Sequence, residues 1–361
     1  MKVVILHDWL TGFRGGERVL EALCEMYPDA PIYTLLHLKG STSPTIESRV
    51  IHTSFLDKIP GIYTRYRYFL PLMPIAARSI KIPEDVDLVI SSSHCVIKGV
   101  RKPKGSKHIS YIHSPMRYIY DQFNNYFGNS GYSIKLLAKA FRPYLKWFDK
   151  KSNKDIDLLI ANSNFVKARI ERHYQEEAVV VHPFVDLEDF RHVQRNPPTK
   201  ENYYLMVTAL APNKRVDLAI EAFNELGYTL KIIGAGSVEN TEKLKKSAHS
   251  NIEFLGTISR EEVIDYMAKA KSFIFPGIED FGITPLEVLA AGTPIIAYKK
   301  GGVLETLTSA TATFFHHETK ESLLNAILTS EIKKTSDLFK RAEFFSKETF
   351  KLNFSKNRSQ I

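Results

Sequence analysis

The sequence predicts an α/β protein of two domains, each a parallel sheet wrapped by helices. Three observations carry this expectation. The chain opens with an apolar strand, a glycine-bearing loop and a helix, its second half alternates strands with helices, and a polar, proline-bearing stretch divides the halves. A length of 361 residues suits two domains of ordinary size. With 44% hydrophobic and 25% charged residues, a disordered or fibrous chain is not expected.

In order, a strand over residues 3–6 runs into His7-Asp8-Trp9-Leu10-Thr11-Gly12-Phe13-Arg14-Gly15-Gly16-Glu17. A helical pattern follows through Val19, Leu20, Leu23 and Met26. This is a Rossmann-like opening, but the G-x-G-x-x-G dinucleotide fingerprint is missing. Gly15-Gly16 therefore reads as a plain tight turn or as a point where a ligand nears the backbone. Further strands are expected at 32–36, 87–91 and 108–112. Asp85-Val-Asp87 and Asp155-Ile-Asp157 have the look of metal-binding pairs, yet both stand where the chain hands over to a buried strand. They read as turn acids, and no metal is predicted.

His113, in Tyr111-Ile112-His113-Ser114-Pro115, closes a strand, and Pro115 reads as the start of a helix. Ligands of open α/β sheets bind beyond the carboxyl ends of strands, so His113 is well placed, although a lone histidine there is more often structural. His94, in Ser-Ser-Ser-His-Cys, ends another strand and competes with it.

Two segments are unusual. Residues 61–82 hold Tyr63, Tyr66, Tyr68, Phe69 and four cations with no acid. Residues 133–154 place Ile134, Leu137, Ala138, Phe141, Leu145 and Phe148 on a helical stripe among seven cations, with Pro143 expected to kink it. Two ordinary core-facing amphipathic helices are one reading. A basic, aromatic face lying on anionic lipid is the other.

The first domain is expected to close with strands near 158–161 and 179–181, followed by an interdomain linker over 182–199. The second half then reads as strands and helices at 203–207, 216–226, 229–233, 252–255, 261–270 and 272–275. Lys214-Arg215 follows its first strand, where a cation pair either is an exposed basic loop or neutralises a departing diphosphate. After 272–275 come Pro276-Gly277-Ile278-Glu279-Asp280-Phe281-Gly282-Ile283-Thr284-Pro285-Leu286-Glu287. A helix is expected from Thr284 to Gly292. Its Thr-Pro-Leu-Glu start reads as a capping box, making Glu287 a helix cap. The other reading is a helix N-terminus offering amides and partial positive charge to a phosphate, with Glu279 and Glu287 facing one crevice.

Glu279 and Glu287 have seven residues between them, with Pro276 before, Phe281-Gly282 between, and Ala291-Gly292-Thr293-Pro294-Ile295-Ile296-Ala297 after. In these residues the chain resembles the retaining glycosyltransferases of family 4. The resemblance implies a GT-B fold: two Rossmann-like domains facing across a cleft, with a C-terminal helix crossing back to the first. It implies an N-terminal acceptor-side domain over 1–185 with 345–361 returning to it, and a nucleotide-sugar domain over 186–344. It also implies roles. Gly15 and Gly16 would let the backbone approach the donor diphosphate. Lys214, Arg215 and the stretch Phe281, Gly282, Ile283 and Thr284 would hold the donor. Glu287 would take the ribose hydroxyls and Glu279 the donor-sugar hydroxyls, while His113 would orient the reacting sugar. Gly234–Ser237, 254–257 and 301–305 look like the family's loops near the nucleotide. The chain departs from many members in having Ala209 where an arginine precedes the lysine, and Arg215 is the cation that would replace it.

The blocks His-Asp-Trp-Leu-Thr-Gly-x-Arg-Gly-Gly-Glu, Ser-Ser-Ser-His-Cys and Lys-Arg-Val-Asp resemble bacterial mannosyltransferases of surface polysaccharide synthesis. That resemblance implies GDP-mannose as donor, no cofactor, and a saccharide or lipid-linked saccharide acceptor. A UDP-sugar transferase and an epimerase of the same fold remain alternatives. Cys24 and Cys95 lack metal-ligand spacing and fit a reducing cytoplasm, and no apolar run approaches bilayer length. The net charge of +9 fits a solvated basic surface, nucleic acid, or the inner face of an anionic membrane. A non-catalytic nucleic-acid binder is the remote rival, and the prediction is no nucleic acid.

Overall fold

The structure, a computed structural model, describes residues 1–123 and 131–361, the side chains of Ser133 and Ile134 excepted. It divides into two units: Met1–His182 with Phe350–Ile361, and Pro183–Thr349. The first unit holds a seven-stranded sheet of β1 (Val3–His7), β2 (Ile32–Thr34), β3 (Ile51–Thr53), β4 (Leu88–Ser93), β5 (Lys107–Ile112), β6 (Leu158–Ala161) and β7 (Val179–Val180). Its spatial order is β3-β2-β1-β4-β5-β6-β7. The second holds six strands, β8 (Tyr204–Val207), β9 (Leu230–Ile233), β10 (Ile252–Gly256), β11 (Ser272–Phe275), β12 (Ile295–Tyr298) and β13 (Ala312–Phe315), in the order β10-β9-β8-β11-β12-β13.

All described strand pairs are parallel. Parallel strands need both faces covered, which is why they read as continuous apolar runs. Their alternation is visible in the second unit. Leu205, Phe273, Phe275 and Ile295 belong to one buried cluster, and Tyr204, Met206, Ile274 and Ile296 to the other. In each unit the strand order reverses beside the first strand, between β1 and β4 and between β8 and β11. Loops leaving the carboxyl ends of those pairs splay apart and leave room for a ligand.

Helix Val216–Leu226 and strand β11 lie where the sequence places them. Four expectations are corrected. Residues 182–199 are not a free linker: Leu187–Phe190 forms a tight turn and Arg191–Arg195 a short helix, anchored by Phe190 and Val193 in the second unit's core. Residues 61–82 are not one helix: the run divides into Ile62–Arg65, the tighter 3₁₀ turns of Tyr66–Leu72, which contain Pro71, and helix Met73–Ser79. After Pro115 the chain makes turns through residues 117–121 instead of a helix. The helix after β11 spans Ile283–Ala290, starting before Thr284. Helix Tyr132–Lys151 runs through Pro143. Among the described residues no helix is long and apolar enough to cross a membrane.

Candidate active site

In the second unit, three loops leaving β8, β11 and β12 are locked together by backbone contact. A Cβ on Gly277 would lie 2.8 Å from Asn213 O and 2.9 Å from Lys214 Cα. On Gly302 it would lie 2.4 Å from both Asp280 O and Phe281 Cα. Only residues without a side chain permit that approach, and Gly302 N also donates to Glu279 O at 2.9 Å. The result is a fixed perch for Glu279, whose carboxylate pairs with the Lys214 ammonium. Each of these side chains is about one-fifth exposed. The pair is accessible to a ligand, yet shielded enough for its charges to matter.

Eight residues on, Glu287 is not a helix cap. Gly282, at φ 90°, occupies the N-cap position, so the helix begins two residues earlier than a Thr284 cap allows, and the capping-box reading fails. Glu287 Oε1 instead accepts from Arg260 Nη2 at 2.7 Å, and the same guanidinium reaches Asp189 Oδ2 at 3.0 Å. Glu287 is buried, and Arg260 stacks over the Phe190 ring. Burial opposes the Arg260 charge, but the two carboxylates outweigh it and hold its pKa above the usual value. Sequence reasoning missed Arg260 and Asp189, because neither stands in a motif and only the fold brings them to Glu287.

The remaining candidates are distributed as follows. Arg215 adopts a left-handed backbone, φ 52°, and its guanidinium engages Asp217 and Glu318, while Lys214 alone engages Glu279. Phe281 is buried against Phe345, whereas Ile283 and Thr284 are half-buried at the helix start. Gly282, Ile283 and Thr284 present the end of the helix at which amides carry partial positive charge.

In the first unit, β1, β4 and β5 bring three histidines together. His113 Nε2 lies 2.7 Å from Ser92 Oγ, which is 3.2 Å from His7 Nδ1, and His7 Nε2 stands 3.7 Å from Glu17 Oε1. A serine hydroxyl has one proton, so Ser92 donates to one ring and accepts from the other. The Glu17 carboxylate favours a proton on His7 Nε2. Ser92 then donates to His7 Nδ1 and accepts from His113 Nε2–H, which leaves His113 Nδ1 as the acceptor nitrogen. Burial, reinforced by His94 and His7, pulls the His113 pKa down to about 3, so the ring is neutral at physiological pH. Burial disfavours the Glu17 charge, but the His7 ring and Glu17's own backbone hold its pKa down to about 2.

Gly15 and Gly16 begin helix Gly15–Met26, and a Cβ on Gly16 would lie 3.7 Å from atoms of both His113 and His7. The helix start therefore rests on the two rings. The competing His94 packs edge-on against Trp9, with ring centroids 4.5 Å apart, and stands 3.5 Å from Asp8. Asp8 is wholly buried and accepts from the amides of His94, Cys95 and Ile97 at 2.7–2.8 Å, which fixes the turn after β4. Among the described residues no three candidate ligands gather as a metal site. Asp87 accepts from Lys2 N, and Asp157 from His108 N, as turn acids do.

Two such units, each with its polar residues at the carboxyl edge of the strand-order reversal, define the architecture of a GT-B glycosyltransferase. Sucrose-phosphate synthase from Thermosynechococcus elongatus shares this fold, with a TM-score of 0.73 at 18% identity over 100% of this chain and 99% of that one. The family described as Glycosyltransferase Family 4 matches residues 13–189, and that described as Glycosyl transferases group 1 matches residues 188–343. The chain belongs to the family 4 glycosyltransferases.

Among its relatives, an uncharacterized glycosyltransferase of Methanocaldococcus jannaschii is 28% identical over 56% of this chain and 58% of its own length. An alpha-1,3/1,6-mannosyltransferase of Dictyostelium discoideum is 25% identical over 53% of this chain and 56% of its own. A GDP-mannose-dependent monoacylated phosphatidylinositol monomannoside mannosyltransferase of Corynebacterium glutamicum is 34% identical over 28% of this chain and 30% of its own. The matches thus span little more than half the length of these relatives, or less.

Proposed function

We propose that the protein transfers mannose from GDP-mannose, with retention at the anomeric carbon, to a lipid-linked saccharide at an anionic membrane surface, in surface polysaccharide synthesis. The observation that carries the reading is the pair of charge-matched acids, Glu279 with Lys214 and Glu287 with Arg260, on either side of one helix start. The mannosyltransferase names among the relatives support the sugar.

In the proposed reaction Lys214 turns from Glu279 to the donor diphosphate, and the helix start at Gly282–Thr284 shares that charge. Glu279, so freed, accepts from donor-sugar hydroxyls, and Glu287 accepts from the ribose. The neutral His113 offers Nδ1 to a sugar hydroxyl. The acceptor oxygen bonds to the anomeric carbon as the bond to the phosphate oxygen breaks. The bonding electrons go to that oxygen, which also takes the acceptor's proton.

Thermal shift with GDP, UDP and ADP tests the donor. A ligand at a hundred times its dissociation constant adds roughly 2.7 kcal/mol of apparent stability. A response to GDP alone, followed by α-mannoside product from α-linked GDP-mannose, is expected. A response to UDP alone refutes the donor, and no response to any nucleotide refutes the transferase reading.

A further inference from the structure

Helix Tyr132–Lys151 and the preceding short helices line two hollows of different chemistry in the first unit. Leu137, Phe141, Leu145, Tyr68 and Leu70 line an apolar one. About seven residues further along the same helix, roughly 10 Å at helical rise, Tyr144, Trp147 and Lys151 line the second with Arg78, Arg101 and Lys154. This second cavity has a volume of about 430 Å³, within the roughly 300–1,000 Å³ common for small-ligand sites.

Charge distinguishes the second cavity. Four cations border it, and the single acid on its rim, Asp155, is 4.0 Å from Arg78. Burial lowers the Arg78 pKa, Asp155 opposes that shift and Arg101 adds to it; with four cations and one acid the cavity keeps a net positive charge. Its cations are braced by aromatic rings, Arg78 over Phe148 at 5.6 Å and Lys151 over Trp147 at 4.8 Å. Around it the surface is apolar and exposed: Ile75 is 54% and Trp147 55% accessible, and Leu72, three residues before Ile75, is exposed as well. The helix's one acid, Asp149, is turned inward and pairs with the buried Lys98 at 2.9 Å, leaving no carboxylate of this helix outside.

Exposed indole and aliphatic groups beside a concave cationic pocket suit an interface that is oily on one side and phosphate-rich on the other. A polynucleotide would be met by cations along an open groove with stacking rings, whereas Ile75 and Leu72 offer nothing to a base or phosphate.

We propose that this cavity binds the head-group phosphate of an anionic phospholipid, seating the first unit on a bilayer with Trp147, Ile75 and Leu72 at the interface. The proposal deepens the membrane contact of the function proposed above, but its test is independent of the donor.

Full-length protein is mixed with phosphatidylcholine vesicles, with and without phosphatidylglycerol, carrying bromine on the upper acyl chains. Contact quenching of tryptophan fluorescence is expected with phosphatidylglycerol and not without it, and is lost in Trp147→Phe. Each near-surface cation is worth about fivefold in partitioning, so Arg101→Gln/Lys151→Gln should weaken binding by at least ~25-fold. Lys135→Gln/Lys139→Gln removes equal charge from outside the cavity and should weaken it severalfold less. Equal losses in the two double variants, vesicle binding without Trp147 quenching, no binding at low salt, or tight binding of polyuridylate in place of vesicles would each overturn the proposal. The GDP thermal shift, run on the same samples, reports the donor reading separately. Its absence alongside the expected vesicle pattern sinks that reading and leaves the lipid site standing.

Discussion

Glu279→Gln should raise affinity for GDP while lowering mannosyl transfer. Lys214 is paired with Glu279, so a diphosphate must draw the ammonium away from that carboxylate. The two side chains are 19% and 21% exposed, between the solvent-exposed pairs worth about 0–1 kcal/mol and the buried ones whose disruption costs about 3–5 kcal/mol. An intermediate value of about 2 kcal/mol corresponds to roughly thirtyfold in affinity. Calorimetric titration of GDP should therefore show up to about thirtyfold tighter binding in Glu279→Gln. Lys214→Ala should weaken binding, because it removes the cation and leaves Glu279 facing the diphosphate. Transfer from GDP-mannose falls in both variants, since Glu279 also holds the sugar. Unchanged or weaker GDP binding in Glu279→Gln would refute the claim that Lys214 exchanges this carboxylate for a phosphate.

Three further outcomes are expected. Glu287→Gln should weaken GDP binding and, by breaking a charged hydrogen bond with a one-third exposed arginine, lower stability by about 1–2 kcal/mol in denaturant titration; full GDP affinity would return Glu287 to a structural role. Gly302→Ala puts a methyl 2.4 Å from Asp280 O and should cost about 1–3 kcal/mol while displacing Glu279, so loss of both melting temperature and turnover is expected, and an unchanged melt would contradict the loop packing. Burial lowers the His108 pKa to about 3, so below pH 6.5 the unfolded chain takes up a proton that the folded one refuses. Stability should fall by about 1.4 kcal/mol per pH unit for that group between pH 6.5 and 3, and His108→Gln should remove one proton from the slope.

Much of the fold was legible because parallel strands buried on both faces write themselves as apolar runs, as at β1 and β11. Short edge elements such as β3, with exposed His52 and Thr53, carry no such signature and were missed. The Thr284 cap was misread because Gly282, in a left-handed conformation that favours glycine, takes the N-cap position and starts the helix earlier. The acids of the motif were visible in sequence, as were the glycines that carry them. The partners were not. Arg260 lies on a separate helix and Asp189 in a stretch read as linker, so only the assembled sheet brings them to Glu287. Likewise, the Ser92–His7 bridge that sets the His113 proton arises from strand register, His7 opposite Ser92, which no local pattern announces.

The first unit is built from two pieces of chain, and Phe350 and Phe354, both wholly buried, belong to the later piece. Phe350 stands edge-on to Tyr111, and Arg358 reaches the Tyr27 hydroxyl at 3.1 Å. On the ribosome, residues 183–349 are complete before these rings exist. Of the two units, the one whose larger piece is made earlier is thus the one that receives the last of its core side chains latest, after the other unit's chain is complete.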